Sequence, residues 1–371
     1  MVQADFATRL ESVVIAPDAT IARAIRQLED AGTRALLVTD EERRLRALLT
    51  DGDVRRAILS DIPFDRPCIS IANEKPIVAR ADVTRREALE IMDRGRDDFL
   101  VNELPVVNED GSVVGLLLRS DLDAGYLPEL SAVIMAGGYG KRLMPLTENT
   151  PKPMLPVGDR PLLERTIDRL REAGVQRVAI STHHLANRII DHFGDGAAHG
   201  VELGYISEDQ PLGTAGALRL LRDVHDPMVV INGDVLTGVD FRGMLAYHRE
   251  HGAALTVGVR RCELQIPYGV LECDGPLIQG VCEKPRQSFL INAGVYLVEP
   301  SALESIPEGR RFDMTDLMAA LIAEGKRVVS FPIMEYWLDI GQPADYEQAQ
   351  DRKSTRLNSS HSTRSRMPSS A

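Results

Sequence analysis

Cysteine is scarce in this 371-residue sequence: Cys68, Cys262, Cys273 and Cys282 are all there is, and no two form a Cys-x-x-Cys pair. Thiols so scattered supply neither zinc-ligand spacing nor a disulfide framework, so reduced cysteines in a cytoplasmic protein are expected. Long apolar runs are missing too. Nothing approaches the roughly 20 residues that cross a bilayer, and the opening MVQADFATRL lacks the basic-then-apolar order of a signal peptide. No membrane partner is expected. Positive charge is in short supply, with 43 Lys and Arg against 55 Asp and Glu for a net −12. Residues 351–371 set Asp351 against Arg352, Lys353, Arg356, Arg364 and Arg366, a net +4, so the preceding 350 residues sum to −16. A body this acidic argues against a nucleic-acid partner, which needs a basic face. An anionic substrate would need a locally concentrated basic site.

What is present begins with a repeat. The length suggests two or three domains, and residues 1–128 contain two similar halves of about 60 residues. PDATIARAIRQLEDAG (17–32) aligns with ADVTRREALEIMDRG (81–95), placing Thr20 over Thr84 and Ala24 over Ala88. Each reads as an amphipathic helix opened by a capping Thr and followed by a β-rich run. NEDGS (108–112), between two apolar runs, reads as a hairpin turn. Taken bare, such a module fits packing or dimerisation without any ligand. The repeat also resembles a tandem CBS pair, a regulatory module that often binds adenine nucleotides between its halves. That resemblance implies Thr50, Asp53 and Asp121 as contacts to the nucleotide. In the second copy, however, Leu118 stands where the hydroxyl should be.

From 131 to 350 apolar strands alternate with helical patterns: AVIMA, PLLERTIDRLREAG, VQRVAIST, LANRIIDHF, VELGYI, TAGALRLLRDV and PMVVINGD. This order predicts an α/β fold with a mostly parallel sheet. In such sheets the ligand crevice lies outside the carboxyl ends of the strands. Asp234 is expected at the end of one strand, Asp339 at the end of EYWLD. Residues 351–371, rich in Ser and Arg with almost no apolar side chains, read as a disordered tail and potentially not native to the protein.

The loop after AVIMA is GGYGKR (137–142). Glycines leave backbone N–H groups uncovered for a phosphate, and Lys141 and Arg142 add charge. It is no Walker loop, because Arg142 replaces the required hydroxyl, and no dinucleotide fingerprint, because Leu143 replaces the third glycine. His183 and His184 are adjacent, so their side chains point apart and a strand-end structural role is expected rather than a metal site.

The continuation GGYGKRLMPLTENTPKPMLPV, with EDQPLGTAGAL, NGD, IPYGV, EKP, INAGVYLV and EYWLDIG in order, resembles the sugar-1-phosphate nucleotidyltransferases over nearly all of 131–350. The resemblance implies a Rossmann-like, GT-A-like domain behind the CBS module. It implies an enzyme that joins an NTP to a sugar-1-phosphate with loss of pyrophosphate, using Mg2+. Arg142, Lys152, Asp234 and Lys284 match the family's catalytic positions, and Asp234 and Asp339 its metal pair. Ala136, Gly137, Gly138, Gly140, Gln210, Gly213 and Thr214 match nucleotide contacts; Gly269, Glu283 and Asn292 match the sugar pocket. LGTAGAL is closest to guanylyl-transferring members, which favours GTP, with glucosamine-1-phosphate or mannose-1-phosphate as acceptor. Uridylyl and thymidylyl transfer, a non-sugar acceptor, and a nucleotide sensor with an inactive transferase are the competing readings. A homo-oligomer is expected, and acetyl transfer is not, since no hexapeptide repeat follows residue 350.

Overall fold

The computed structural model describes residues 6–94, 101–122, 130–222 and 224–350. Contacts divide the chain into two units, Met1–Pro128 and Glu129–Ala371. The expected tail, 351–371, lies outside the described residues, as does most of the connector before Leu130.

In the first unit the repeat becomes two sheets of the same pattern. Val14–Ile15, Ala35–Thr39 and Leu45–Thr50 form one, and Ala79–Arg80, Glu103–Val107 and Val113–Leu118 the other. Each pairs a short parallel strand with an antiparallel hairpin. The helix Ile21–Ala31 buries Ile21, Ala24 and Leu28, one face at helical spacing. Thr20 caps it by accepting the Arg23 N–H at 3.2 Å. Thr84 accepts the Glu87 N–H at 3.3 Å, while Glu87 takes the Thr84 N–H at 2.9 Å, a reciprocal cap for Arg85–Arg94. Asn108 and Ser112 close the hairpin turn around Gly111, whose φ of 83° needs a glycine.

The second unit centres on seven strands: β1 (Ser131–Met135), β2 (Arg177–Thr182), β3 (Glu202–Ser207), β4 (Met228–Asn232), β5 (Leu255–Gln265), β6 (Arg286–Val298) and β7 (Val328–Pro332). Their order is β3-β2-β1-β4-β6-β5-β7. All pairs are parallel except the two made by β6. Period-two alternation splits β1 between two cores. Ala132 and Ile134 join Leu163, Ile167 and Leu170 of helix α1 (Leu162–Glu172), whereas Val133 joins Met314, Leu317 and Leu321 of helix α2 (Met314–Ala323). Both faces are thus covered, as a parallel sheet requires. The order reverses between β1 and β4, which is where a crevice opens.

Two local expectations change. TAGALRLLRDV is not one helix but a single α-turn, Gly213–Gly216, followed by a 3-10 turn, Ala217–Leu220. The Ala215 and Gly216 N–H groups, which a helix start leaves without an intrahelical acceptor, donate to Phe312 O at 3.0 and 2.8 Å and anchor the beginning of the turn. Asp234 does not end β4; it sits in the tight turn between Asn232 and the short strand Val235–Thr237.

His248, on the helix Phe241–Glu250, is fully buried, with Nδ1 2.7 Å from Thr256 Oγ1 and Nε2 3.0 Å from Glu299 Oε1. Burial holds its pKa below the usual histidine value, with Glu299 opposing. The fold therefore binds this proton less readily than the unfolded chain does. Stability is present above the unfolded pKa, near 6.5, and is lost as pH falls below it toward the folded value. The melting temperature is expected to drop between pH 7 and 5.5, with a shallower slope in His248→Gln, measurable by calorimetry.

Candidate active site

The glycine-rich loop leaves β1 at the switch in strand order. The Ala136 N–H donates to Ser181 O at 2.9 Å and continues the pairing with β2 for one residue. At Gly137 an added Cβ would lie 3.0 Å from Glu208 Oε1 and 3.4 Å from His183 Cβ. At Gly138 it would meet nothing within 4 Å. Gly140 has φ 64°, and its Cβ would fall 2.9 Å from Thr147 Cγ2. The first and third glycines answer to packing and conformation, while Gly138 alone faces open space. Gly138→Ala is accordingly expected to leave the melting temperature unchanged and raise the KM for a phosphate ligand several-fold. Gly140→Ala should cost stability, about 1–2 kcal/mol for a strained left-handed residue. Thermal melts beside steady-state kinetics separate the two.

Opposite this loop the NGD turn carries Asp234. The Gly233 N–H donates to Met135 O at 2.9 Å, and a Cβ there would sit 2.8 Å from that oxygen and 3.1 Å from Pro153 Cγ. Only glycine lets the turn tuck against the end of β1 and the Pro-Lys-Pro segment. The result is a Lys152 Nζ to Asp234 Oδ2 contact of 2.6 Å, with the lysine side chain 12% exposed. Asp339 arrives from 100 residues away: Val235–Thr237 pairs antiparallel with Trp337–Asp339, Val235 opposite Asp339, and the Ile340 N–H donates to Asp234 O at 3.0 Å. Burial and the charge of Asp234 push the Asp339 carboxyl above its usual value, with Lys152 and Arg142 pulling the other way. Part of the Asp339 side chain still meets solvent, which screens these charges. Arg142 is placed by the same corner: a Cβ on Gly341 would be 3.7 Å from an Arg142 guanidinium nitrogen and equally 3.7 Å from Asp339 Oδ1.

Four expected residues, Arg142, Lys152, Asp234 and Asp339, are therefore one electrostatic group. Its donor set fits a hard divalent cation: two carboxylates held together against their mutual repulsion, with water and substrate oxygens to complete the shell. Among the described residues no cluster of three or more acidic, His or Cys ligands exists, so the protein would supply two. Beside them the buried Asn232 Oδ1 accepts no hydrogen bond among the described residues.

The sugar-side expectations divide. Gly269 and Glu283 are brought together, since a Cβ on Gly269 would meet Glu283 Oε2 at 2.9 Å. Lys284 adopts φ 48°, an uncommon backbone state for lysine. Both flank the exposed hairpin Val270–Asp274 and Leu277–Cys282. No hydrogen bond or ion pair joins Glu283 or Lys284 to the Asp234 group among the described residues. Asn292 is closer in effect: its Nδ2 donates to Tyr296 Oη at 2.8 Å, and the Tyr296 hydroxyl, raised mainly by burial, also feels Asp234.

Glu208 was not anticipated. Buried at 8% exposure, it receives the Ser181 hydroxyl on Oε1 and the Leu212 N–H at 2.8 Å on Oε2. It thereby ties the end of β2 to the segment carrying Gln210, Gly213 and Thr214, and packs beside Gly137. His183 has both ring nitrogens engaged, Nδ1 with Glu208 O at 2.9 Å and Nε2 with Tyr139 Oη at 3.1 Å, which agrees with a structural role. In the first unit, Thr50 caps Asp51–Leu59 and Asp53 completes a capping box, taking the Thr50 N–H at 2.7 Å and pairing with Arg56. Asp121 lies exposed in the short helix Arg119–Leu122, preceded by Leu118 and so without an equivalent hydroxyl.

Residues 131–356 match the model of the nucleotidyl transferase family, and 4–60 and 68–124 each match the CBS domain. A mannose-1-phosphate guanylyltransferase of Mycobacterium tuberculosis is 33% identical over 225 residues, 59% of this chain and 63% of that protein. The mannose-1-phosphate guanyltransferase of Schizosaccharomyces pombe is 34% identical over 58% of this chain and 62% of its own. A UTP–glucose-1-phosphate uridylyltransferase of Synechocystis is 33% identical over 59% and 62%. The match thus spans under two thirds of these relatives' length. Among solved structures, a putative glucose-1-phosphate thymidylyltransferase from Bacillus anthracis superposes with TM-score 0.50 at 26% identity, over 60% of this chain and 94% of that one. With the family model covering more than half its residues, and with tandem CBS domains ahead of it, the chain belongs to the nucleotidyl transferase family.

Proposed function

We propose that the chain transfers a nucleotidyl group from an NTP to a sugar-1-phosphate. A phosphate oxygen of the sugar attacks the α-phosphorus, a new P–O bond forms, and the bond to the β-phosphate breaks in line to release pyrophosphate. The observation that carries this reading is the meeting of Arg142, Lys152, Asp234 and Asp339 beside the open face of Gly138. Positioning and charge neutralisation, with no general base, suffice for such a transfer.

In this reading Arg142 and Lys152 bind the triphosphate, and the open N–H face near Gly138 receives its phosphates. Asp234 and Asp339 hold Mg2+, which supplies neutralising charge to the transferring phosphoryl group. Lys284 holds the sugar phosphate, with Gly269, Glu283 and Asn292 shaping the sugar pocket. Gln210, Gly213 and Thr214 lie on the loop facing the base. GTP is favoured by the LGTAGAL wording and by the names of the guanylyl-transferring relatives. The similar identity to a uridylyl relative keeps UTP as the second reading. Adenine nucleotide at the CBS pair is the regulatory part of the proposal, and it requires Asp53 to exchange part of its capping contacts for ribose. A cytoplasmic homo-oligomer is the setting proposed; among the described residues no helix is long and apolar enough to cross a membrane.

The test is pyrophosphate release with Mg2+ over a grid of GTP, UTP, CTP and dTTP against glucosamine-1-phosphate and mannose-1-phosphate, each with and without AMP or ATP. Release confined to one NTP and sugar pair supports the transfer and names both substrates. Release from NTP alone contradicts it, and rates unaffected by adenine nucleotide remove the regulatory part.

A further inference from the structure

We propose that Asp313 is the positioning residue of the loop Gln210–Gly216, and that through this loop it sets the preference among NTP bases. The inference rests on the nucleotidyl-transfer reading above and concerns a residue that touches no substrate.

The loop follows β3 at the carboxyl end of the sheet, and its Leu212 N–H is held by Glu208, whose other oxygen packs beside Gly137, so loop and glycine turn border the same crevice. Among the described residues only the α-turn Gly213–Gly216 is hydrogen-bonded within it. Most of its other hydrogen bonds run to the segment 309–314, about a hundred residues on. The Thr214 N–H donates to Asp313 Oδ1 at 3.0 Å. Ala215 and Gly216 donate to Phe312 O, and the Phe312 N–H returns a bond to Leu212 O at 2.8 Å. Thr214 Oγ1 accepts the Met314 N–H at 2.9 Å, and Gln210 Nε2 donates to Gly309 O at 3.1 Å. Gly213, at φ 81°, packs so tightly that a Cβ would lie 2.5 Å from Asp313 Oδ1 and 2.7 Å from Phe312 O.

This seating decides what the loop can recognise. The N–H groups of Thr214, Ala215 and Gly216 are all consumed by Phe312 and Asp313, so the turn has none of them to offer an anion. With those donors taken and the Gln210 amide nitrogen anchored at Gly309, the turn is suited to the edge of a base rather than to a phosphate. Asp313 is the only side chain of the segment 309–313 whose oxygen accepts a loop N–H among the described residues, and the carboxylate fills the space that Gly213 leaves. Removing it frees the loop at the residue where its backbone is most constrained.

Asp313 also begins helix α2, where its own N–H donates to Asp316 Oδ2 at 2.9 Å. A purely structural role is therefore the alternative, and Asp316→Ala serves as its control: it weakens the same helix start and removes no bond made by the loop. KM, kcat and the direct Kd for GTP and UTP are measured for the unmodified chain, Asp313→Ala, Asp313→Asn and Asp316→Ala, with melting temperatures alongside. Asp313→Ala is expected to raise KM and Kd for the preferred NTP about tenfold, as losing a charge-assisted hydrogen bond would. Its kcat should change less than threefold, and the GTP-to-UTP preference should shrink. Asp313→Asn keeps an acceptor oxygen and should recover most of the affinity, while Asp316→Ala should lower only the melting temperature. Equal KM increases in Asp313→Ala and Asp316→Ala, or none in Asp313→Ala, overturn the proposal. An unmodified chain that binds GTP but releases no pyrophosphate sinks the transfer reading alone, since the Kd series still decides Asp313. No nucleotide binding at all overturns both.

Discussion

Asp234→Asn is expected to lower kcat/KM for pyrophosphate release by on the order of 10²–10³-fold or more, the scale seen when one preorganised electrostatic contact to a transition state is lost. The substitution keeps the shape of the side chain and removes its charge. That charge has two duties in the structure. It pairs with Lys152 at 2.6 Å, and it faces Asp339 across the paired strands Val235–Thr237 and Trp337–Asp339. Neutralising it takes away half of the carboxylate pair proposed to hold Mg2+ and leaves a largely buried ammonium group without its partner. The melting temperature should fall as well, because a buried charge stripped of its counter-ion is costly. Pyrophosphate release and thermal melts on the same preparations check both effects. Turnover within tenfold of the unmodified chain would contradict the role given to Asp234.

Asp339→Asn should behave oppositely in stability and alike in activity. A carboxyl whose pKa is raised in the fold holds its proton more tightly there than in the unfolded chain. Ionising it therefore costs stability: the cost is absent below the unfolded pKa and grows as pH rises through the folded one. Above the folded pKa that cost is present in full, and solvent contact screens it. Without divalent cation, Asp339→Asn is expected to melt at the same temperature as the unmodified chain or above it. With Mg2+, the unmodified chain should gain melting temperature as ligand binding to the native state requires, and the variant should not. Turnover should fall on the order of 10²-fold. A variant that still responds to Mg2+ would remove Asp339 from the metal site.

This opposition between two carboxylates could not be read in the sequence. NGD and EYWLD mark both as strand-end acids, but the pairing that puts Val235 opposite Asp339 links segments a hundred residues apart. Lys152 was legible from Pro-Lys-Pro; its ion pair with Asp234 depends on Gly233 tucking against β1. The parallel sheet, the glycine loop and the repeat were legible because each is local: periodicity, turn chemistry and capping act over a few residues. TAGALRLLRDV misled for the converse reason: its residues favour a helix locally, whereas the fold closes one α-turn at Gly213–Gly216 and tightens it into the 3-10 turn Ala217–Leu220. Glu208 gave no signal, being one acid in ISEDQ until the fold buries it between two loops. Thr50 and Asp53 carry a second, more local signal. A Thr three residues ahead of an acid at the start of a helix is a capping pattern, and that is the job both perform in the structure.

The central claim is that NTP and sugar-1-phosphate become a nucleotide sugar and pyrophosphate in one transfer. Phosphorus NMR of the purified chain with Mg2+, GTP and mannose-1-phosphate or glucosamine-1-phosphate follows every phosphorus at once. Growth of a diphosphate diester and of pyrophosphate in equal amounts, with matching loss of GTP and sugar phosphate, is the result expected. GDP and inorganic phosphate appearing while the sugar phosphate stays unchanged would contradict the claim.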